Sequence, residues 1–595
     1  MKRYLSQDVI ISWQGNVVPL RLLGGEAYGN ADIRWAITGS CVQLNVFSEG
    51  DGAFTDGVLL TMLTPGEATV TATLDGISYC CSITVRERQT TTSGRHLQYF
   101  PGDFHDHSCH SHEKDVVCAR QSEYPGDLIQ TWLQDGRLDF AVISDHAGLL
   151  NHREFFRGYG DTEALEPMDM IVLPGCEAEV TAVESDRYGI AHKNSGEIVT
   201  VNAAGYADTE TWQEFYDLFA DSPFATCALA HPQVVGSSTG GIWNFCLHKN
   251  NTPRLRQMVK LVEMGNGSDR MTNVLHEYVY SLALDHGFRV SPTCASDSHG
   301  PDYQFDNFPG RTVFMATEKS KEAFMEAIWN NRVYATSTGN VKLFYTVNGH
   351  PAPAELPEAR QYSFHVELDS FYEAGDTRPV LCQVISDYGK CLLELPVPAE
   401  GAFDFTVESD TARYFYLRLA DGQGRKTWSC PVYTGRPCDL PRKEKAPLDK
   451  AGFTAVDLTT GLDAALLLDD DPRNTWHTEK PTASILIDMH REQAVSALGH
   501  YPWLPERAKG DNCPEVLSTF PSAFRISTSM DGLTFEPAEE GIFRVFGGEE
   551  IFSFPSRLAR YVKLEILSSC GAASLRPPFR NSGISMAQLT LYTDF

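Results

Sequence analysis

GDFHDHSCHSH, residues 102–112, is the stretch on which the reading of this chain turns. Side chains two apart on a strand share a face, so His105 and His107 can close on one ion. An H-x-H pair is weak evidence by itself, because loop histidines commonly satisfy only local hydrogen bonds. The segments that follow add to it. FAVISDH (140–146) ends an apolar run on Asp145 and His146, and MIVLPGCE (170–177) ends one on Glu177. GIAHKN supplies His192, CALAHP (227–232) supplies His231, and CASDSH (294–299) supplies Asp297 and His299. Imidazoles mixed with carboxylates suit Zn²⁺, Mn²⁺ or Fe²⁺, and a carboxylate can bridge two ions where a single imidazole cannot.

Around these segments, from about 94 to 340, short apolar runs alternate with stretches of helical spacing such as DLIQTWLQDG (127–136) and EAFMEAIWNN (322–331). That alternation predicts βα units around a mainly parallel sheet or barrel, whose chemistry collects at the carboxyl ends of the strands. Residues 1–93 instead alternate polar and apolar positions in short runs, including VVPLRLL (17–23) and YCCSITV (79–85), which predicts a β-sandwich. The polar stretch RERQTTTSGR (86–95) reads as a linker. β texture returns at 341–440, with YFYLRLADGQG (414–424), and again at 450–595 after the connector PRKEKAPLDK (441–450). The expected class is multidomain, α/β plus all-β.

The order HxH, DH, E, H, HP, DxH resembles the polymerase and histidinol phosphatase (PHP) superfamily of metallohydrolases. GDFHDHS resembles its G-D-x-H-x-H-[ST] opening and PGCE its P-G-x-E, while EAFMEAIWNNRVYATST resembles the closing helix and strand of the carbamate-hydrolysing CehA/McbA-type branch. The resemblance implies a distorted (β/α)7 barrel flanked by sandwiches, with two or three divalent ions at its mouth. It assigns His105, His107, Glu177 and Asp297 to a first metal, with Glu177 bridging to a second completed by His192 and His231. His146, His299 and either His110 or His112 would hold a third, with His112 preferred. The implied reaction is phosphoester hydrolysis, on a small or glycan-linked substrate, by hydroxide formed where cations lower the pKa of water from about 16 towards about 7. Arg187 and Lys193 are candidates to meet the substrate's anionic oxygens, and Asp145 to orient His146 or shuttle a proton. The alternatives are carbamate, ester or amide hydrolysis at the same centre, or a carbohydrate-binding or adhesion protein with a structural metal.

Residues 1–93 resemble bacterial immunoglobulin-like domains of group 2. In 450–595, LLLDDDPRNTWHTE, SAFRISTSMDGLTFEP, SRLARYVKLEILSS and GISMAQLTLY resemble, in order, discoidin or coagulation factor 5/8 type C domains, which overlap with family 32 carbohydrate-binding modules. That implies a jelly roll with a carbohydrate ligand, for which Trp476, His477 and Trp503 are the candidates. Trp476 reads more readily as core, Trp503 in a long loop is the better exposed candidate, and the acidic 469–471 triplet suggests a structural Ca²⁺.

A formal charge of −29 disfavours nucleic acid and anionic membranes. No stretch approaches the about 18 uninterrupted apolar residues of a membrane span. The 15 cysteines follow no disulfide-framework spacing, which fits a reducing compartment. With no apolar signal segment at MKRYLSQDVIISW, the sequence reads as cytoplasmic. Sandwich and glycan-binding modules usually accompany export, and a removed N-terminal signal would make the protein secreted or surface-bound.

Overall fold

The computed structural model describes residues 2–24, 33–46, 56–90, 96–111, 138–150, 170–185, 187–206, 222–232, 252–267, 273–299, 309–372, 377–436, 445–502, 518–545, 548–573 and 583–594, with isolated positions between 155 and 217. Eight strands carry or flank the histidine- and carboxylate-bearing segments above: β1 (Gln98–Asp106), β2 (Phe140–Ile143), β3 (Ile171–Ser185), β4 (Ala191–Val201), β5 (Thr226–Leu229), β6 (Val259–Asn266), β7 (Ser291–Ala295) and β8 (Arg311–Ala316). Helices α1 (Pro253–Met258), α2 (Asn273–Asp285) and α3 (Lys321–Trp329) lie among them. Thr252 and Ser320 cap α1 and α3 by accepting from Leu255 N and Ala323 N.

The strands are ordered β7-β6-β5-β4-β3-β2-β1-β8 within one 15-stranded sheet that runs on through Val333–Thr336 and strands between 379 and 433. β1, β2 and β3 are mutually parallel, as are β5, β6 and β7. β4 is antiparallel to both neighbours, and its ladder with β3 covers Gly175↔Val201 to Ser185↔Ala191. β8 returns antiparallel to β1. The (β/α)7 barrel is therefore overturned. The described chain is all-β in class, with few helices, a long antiparallel hairpin inside the sheet and further antiparallel strands beyond β8. The misleading signal was local. FAVI, TCAL and SPTCA are buried at every position, as strands covered on both faces are, and that burial does not report how the rest of the sheet is paired. The helix expected at 127–136 lies outside the described residues.

Close approach fixes two glycines of the motif segments. A Cβ on Gly102 would stand 2.3 Å from the Phe140 ring, and one on Gly175 would stand 2.3 Å from Thr200 O. Behind β1, β2 and β8 the aromatic core includes Phe140 and Phe314, stacked at 4.0 Å, with Phe324 of α3 against them.

Within residues 4–86, two four-stranded sheets face one core that contains Leu20, Leu60, Val70 and Ile83. Arg86 of this unit pairs with Glu322 of α3, and Asn202 Nδ2 donates to Gly15 O at 2.7 Å. A further four-stranded sheet comes from 341–408, and an eight-stranded sheet is built from 445 to 594. No described helix is long and apolar enough to cross a membrane.

Candidate metal centre

Because the parallel strands share a direction, their carboxyl ends deliver side chains to one place. His105 ends β1 and His107 follows it; Asp145 and His146 follow β2; His231 follows β5; Asp297 and His299 follow β7. Asp297 N donates to His105 O at 2.9 Å and His107 N to Ser298 O at 3.1 Å, so the exits of β7 and β1 are joined. Asp297 (φ 51°) and His231 (φ 24°) hold left-handed backbone, a strain of about 1–3 kcal/mol each that clusters at functional sites.

Glu177 sits in the middle. Its Oε1 lies 3.1 Å from His105 Nε2 and 3.2 Å from His231 Nε2. Its Oε2 lies 3.0 Å from His146 Nδ1 and 3.5 Å from His107 Nε2. His105 Nε2 and His107 Nε2 are 3.2 Å apart, and Asp297 Oδ1 stands 3.6 Å and 3.2 Å from them. His146 Nε2 and His299 Nε2 are 3.4 Å apart. Donors held about 2.1 Å from one cation stand about 3.0–3.4 Å from each other in octahedral or tetrahedral shells. The observed spacings are those of shell edges. Neither Glu177 oxygen takes a hydrogen bond in good geometry despite these close nitrogens. The donor set therefore fits divalent ions.

Three groupings have ligand atoms within 4.8 Å of one another around this centre: His105, His107 and Glu177; His146, Glu177 and Glu197; and His107, His146 and His299. His105, His231 and Asp297 form a fourth. Glu197 was not foreseen. It lies on β4, with Oε2 3.3 Å from His231 Nε2.

His192 was expected there, and the register sets its backbone away from Glu177. Its backbone partner is Glu184, seven ladder steps beyond Glu177, or about 23 Å along the strand. The side chains of His192 and Lys193 lie outside the described set, as does His112. His110 is buried in the turn Cys109–Ser111 and is absent from the converging groups.

A ring of partners turns the ligand atoms inward. Glu263, on the apolar β6, faces His105 Nδ1 at 3.4 Å, and its Oε2 accepts from His231 N at 2.6 Å and Asn266 Nδ2 at 3.1 Å. Asn266 Nδ2 also donates to Asp297 Oδ2 at 3.1 Å, which directs Oδ1 at the histidines. Asp145 does not reach the His146 ring in this arrangement. Its oxygens accept from Ser108 N, Ser108 Oγ and Ser111 Oγ, each at 2.7 Å, and Ser111 Oγ lies 2.9 Å from His107 Nδ1. Asp145 thus positions His107 through Ser111. Replacing Glu263 by Gln is expected to weaken metal affinity by about 10–100-fold, read by competition with a chelating dye; unchanged affinity would remove Glu263 from this role.

Burial favours neutral imidazoles, and the carboxylates oppose it. For His146 and His231, burial is outweighed by Glu177 together with Glu197 and Asp297, which take them up to about 9 and about 10. His105 is likewise held well above its ordinary value, chiefly by Glu177 against burial. Burial, reinforced by His299 and His146, takes His107 down to about 3 against Asp297. Glu177 lies well below its ordinary value, because His105 and its neighbours outweigh burial, whereas burial beside Glu177 pushes Glu197 up to about 7. A cation must displace the protons on His146 and His231. Metal uptake at neutral pH is therefore expected to release protons, and affinity to rise as pH climbs towards about 9. Titration calorimetry in buffers of different ionisation enthalpy reads this directly, and zero proton release would contradict it.

The other candidates lie elsewhere. Arg187, at the tip of the β3–β4 hairpin, donates to Glu549 Oε1 at 3.0 Å and Thr590 Oγ1 at 2.6 Å, so its guanidinium is engaged by the C-terminal unit. Trp476 is 3% exposed and belongs to the C-terminal core. His477 is exposed beside Ser585 and Glu479, and Trp503 lies outside the described residues.

No protein-family model matches the chain, and no curated protein matches it. Among solved structures, a part of it is similar to CpGH89CBM32-5 from Clostridium perfringens in complex with GalNAc-β-1,3-galactose, at 18% identity, TM-score 0.19, over 24% of this chain and 99% of that one. The family 32 carbohydrate-binding module of C. perfringens NanJ, in complex with galactose, gives 17% identity and TM-score 0.20 over 25% and 98%. The C-terminal domain of a chitobiase from Bacteroides fragilis gives 20% and 0.19 over 25% and 99%.

Proposed function

We propose that the chain is a metal-dependent hydrolase, with a phosphoester as the leading substrate class. The observation that carries this reading is the placement of Glu177, whose two oxygens face separate histidine sets, His105 with His231 and His107 with His146. Divalent ions bound there would make water a nucleophile near neutral pH and polarise the electrophile's oxygen. Glu177 and Asp297 supply the anionic charge that holds such ions, and the histidines supply neutral nitrogen.

His146 and His299 are the candidate ligands with an exposed edge, at 31% and 26%, while His105 and His107 are sealed. The mouth of the site is therefore on the His146–His299 side, where a substrate's anionic group would meet both rings. Turnover of p-nitrophenyl phosphate, bis-p-nitrophenyl phosphate, p-nitrophenyl acetate and a carbamate by protein purified without chelator ranks the chemistries. Phosphoester turnover supports the reading, ester or carbamate turnover alone replaces the substrate class, and no turnover of any overturns the hydrolase.

The sequence resemblance of 450–595 to sugar-binding modules supports a second role, attachment to glycans. Galactose is the first ligand to titrate against the full chain, and absence of binding across a sugar array removes this role.

A further inference from the structure

Gln588, 1% exposed on the strand Ile584–Asp594, makes an unusual set of contacts. Its Nε2 lies 2.5 Å from Asp469 Oδ1, 3.0 Å from Leu466 O and 3.2 Å from Asp471 O, three acceptors for two hydrogens. Its Oε1 faces donors, Asp470 N at 3.1 Å and Lys450 Nζ at 3.3 Å. This division fixes the amide orientation, since a flip would set Oε1 against three oxygens and leave both donors facing nitrogen.

Three oxygens drawn around one buried point, two backbone and one carboxylate, are what a hard cation such as Ca²⁺ recruits from a turn. Here the point is held by nitrogen. Each of the three aspartates also meets a nitrogen elsewhere in the turn or beside it. Asp469 Oδ2 accepts from Asn474 Nδ2 at 2.6 Å, Asp470 Oδ1 pairs with Lys450 Nζ at 2.6 Å, and Asp471 Oδ1 accepts from Arg473 N at 3.1 Å. The Lys450 side chain is itself 8% exposed, and its amine is held beside the carboxylates by Asp470. The acidic triplet 469–471, expected to hold calcium, does not fit a cation as it stands.

We propose that the Gln588 amide, backed by the Lys450 ammonium, occupies the place of a cation in the Leu466–Asp471 turn, so that the C-terminal unit is held together without calcium. Chelators that empty the histidine cluster then leave this unit intact.

The test is calcium bound per full-length chain, measured by equilibrium dialysis and compared between variants so that any uptake at the histidine cluster cancels. Wild type and Asp469→Asn bind equal amounts. Gln588→Glu, which turns the central donor into a fourth oxygen, gains about one calcium per chain, and Gln588→Glu with Asp469→Asn loses it again. One calcium in the wild type that Asp469→Asn abolishes overturns the proposal, as does a Gln588→Glu chain with native circular dichroism that gains none. If Gln588→Glu fails to fold, the wild type against Asp469→Asn still decides.

Discussion

Replacing Glu177 by Gln is expected to empty the histidine cluster and take hydrolysis to background. The substitution keeps the volume but removes the negative charge on which His105, His231, His146 and His107 converge. Loss of an outer partner such as Glu263 costs about 10–100-fold in metal affinity. Loss of the carboxylate shared by both histidine sets acts on both at once and should exceed that. The side chain is 2% exposed and the replacement isosteric, so circular dichroism should stay native, while the unfolding midpoint falls by the loss of the charge interactions that hold Glu177 below its ordinary pKa. Metal content and activity falling together, with the fold retained, is the predicted pattern. Retained activity would place the chemistry elsewhere.

The second large effect is on stability. Arg544 is 1% exposed and ties the C-terminal unit to α2. Its guanidinium pairs with Asp285 and lies 2.8 Å from Glu550 Oε1, while Nη1 donates to Ser281 Oγ at 3.0 Å. Asp285 also meets Arg413, which pairs in turn with Asp387. Arg544→Ala leaves two buried carboxylates with less compensation, and breaking such a pair from one side costs about 3–5 kcal/mol. Denaturant unfolding should show a loss of that size in the transition that includes this junction. Metal content of the folded protein should not change, because no ligand candidate touches Arg544. A loss under about 1 kcal/mol would show that the network is solvated in solution.

Much of the site is legible in the sequence because each ligand candidate closes an apolar run. ISDH, ALAHP and ASDSH mark strand ends, which parallel strands bring together whatever covers the sheet faces, while PGCE lies inside the long strand β3. What the sequence hides is register. His192 and Glu197 are five residues apart on one strand, and only the β3–β4 pairing shows that Glu197 lies beside Glu177's neighbour Val199 while His192 is carried up the hairpin. A sharper signal was available for Glu263, a lone acid inside the apolar run VKLVEMGN, since a buried carboxylate needs a partner.

The fold expectation failed for a related reason. Periodicity separates helix from strand locally, but it does not tell a βα crossover from a long hairpin or from a sheet that continues into the next unit. The run IVLPGCEAEVTAVES becomes one 15-residue strand paired back on itself through β4. Trp476 shows the same limit in the C-terminal unit: WHT pairs with Ile584–Met586, and that pairing turns the indole into the core.

The central claim is that these histidines and carboxylates hold ions. Elemental analysis of wild-type chain and Glu177→Gln, both purified without chelator, tests it most directly. Two or three divalent ions per wild-type chain, falling below one in the variant, is the predicted result. Less than one ion per wild-type chain, after incubation with Zn²⁺, Mn²⁺ and Fe²⁺ in turn, would contradict it.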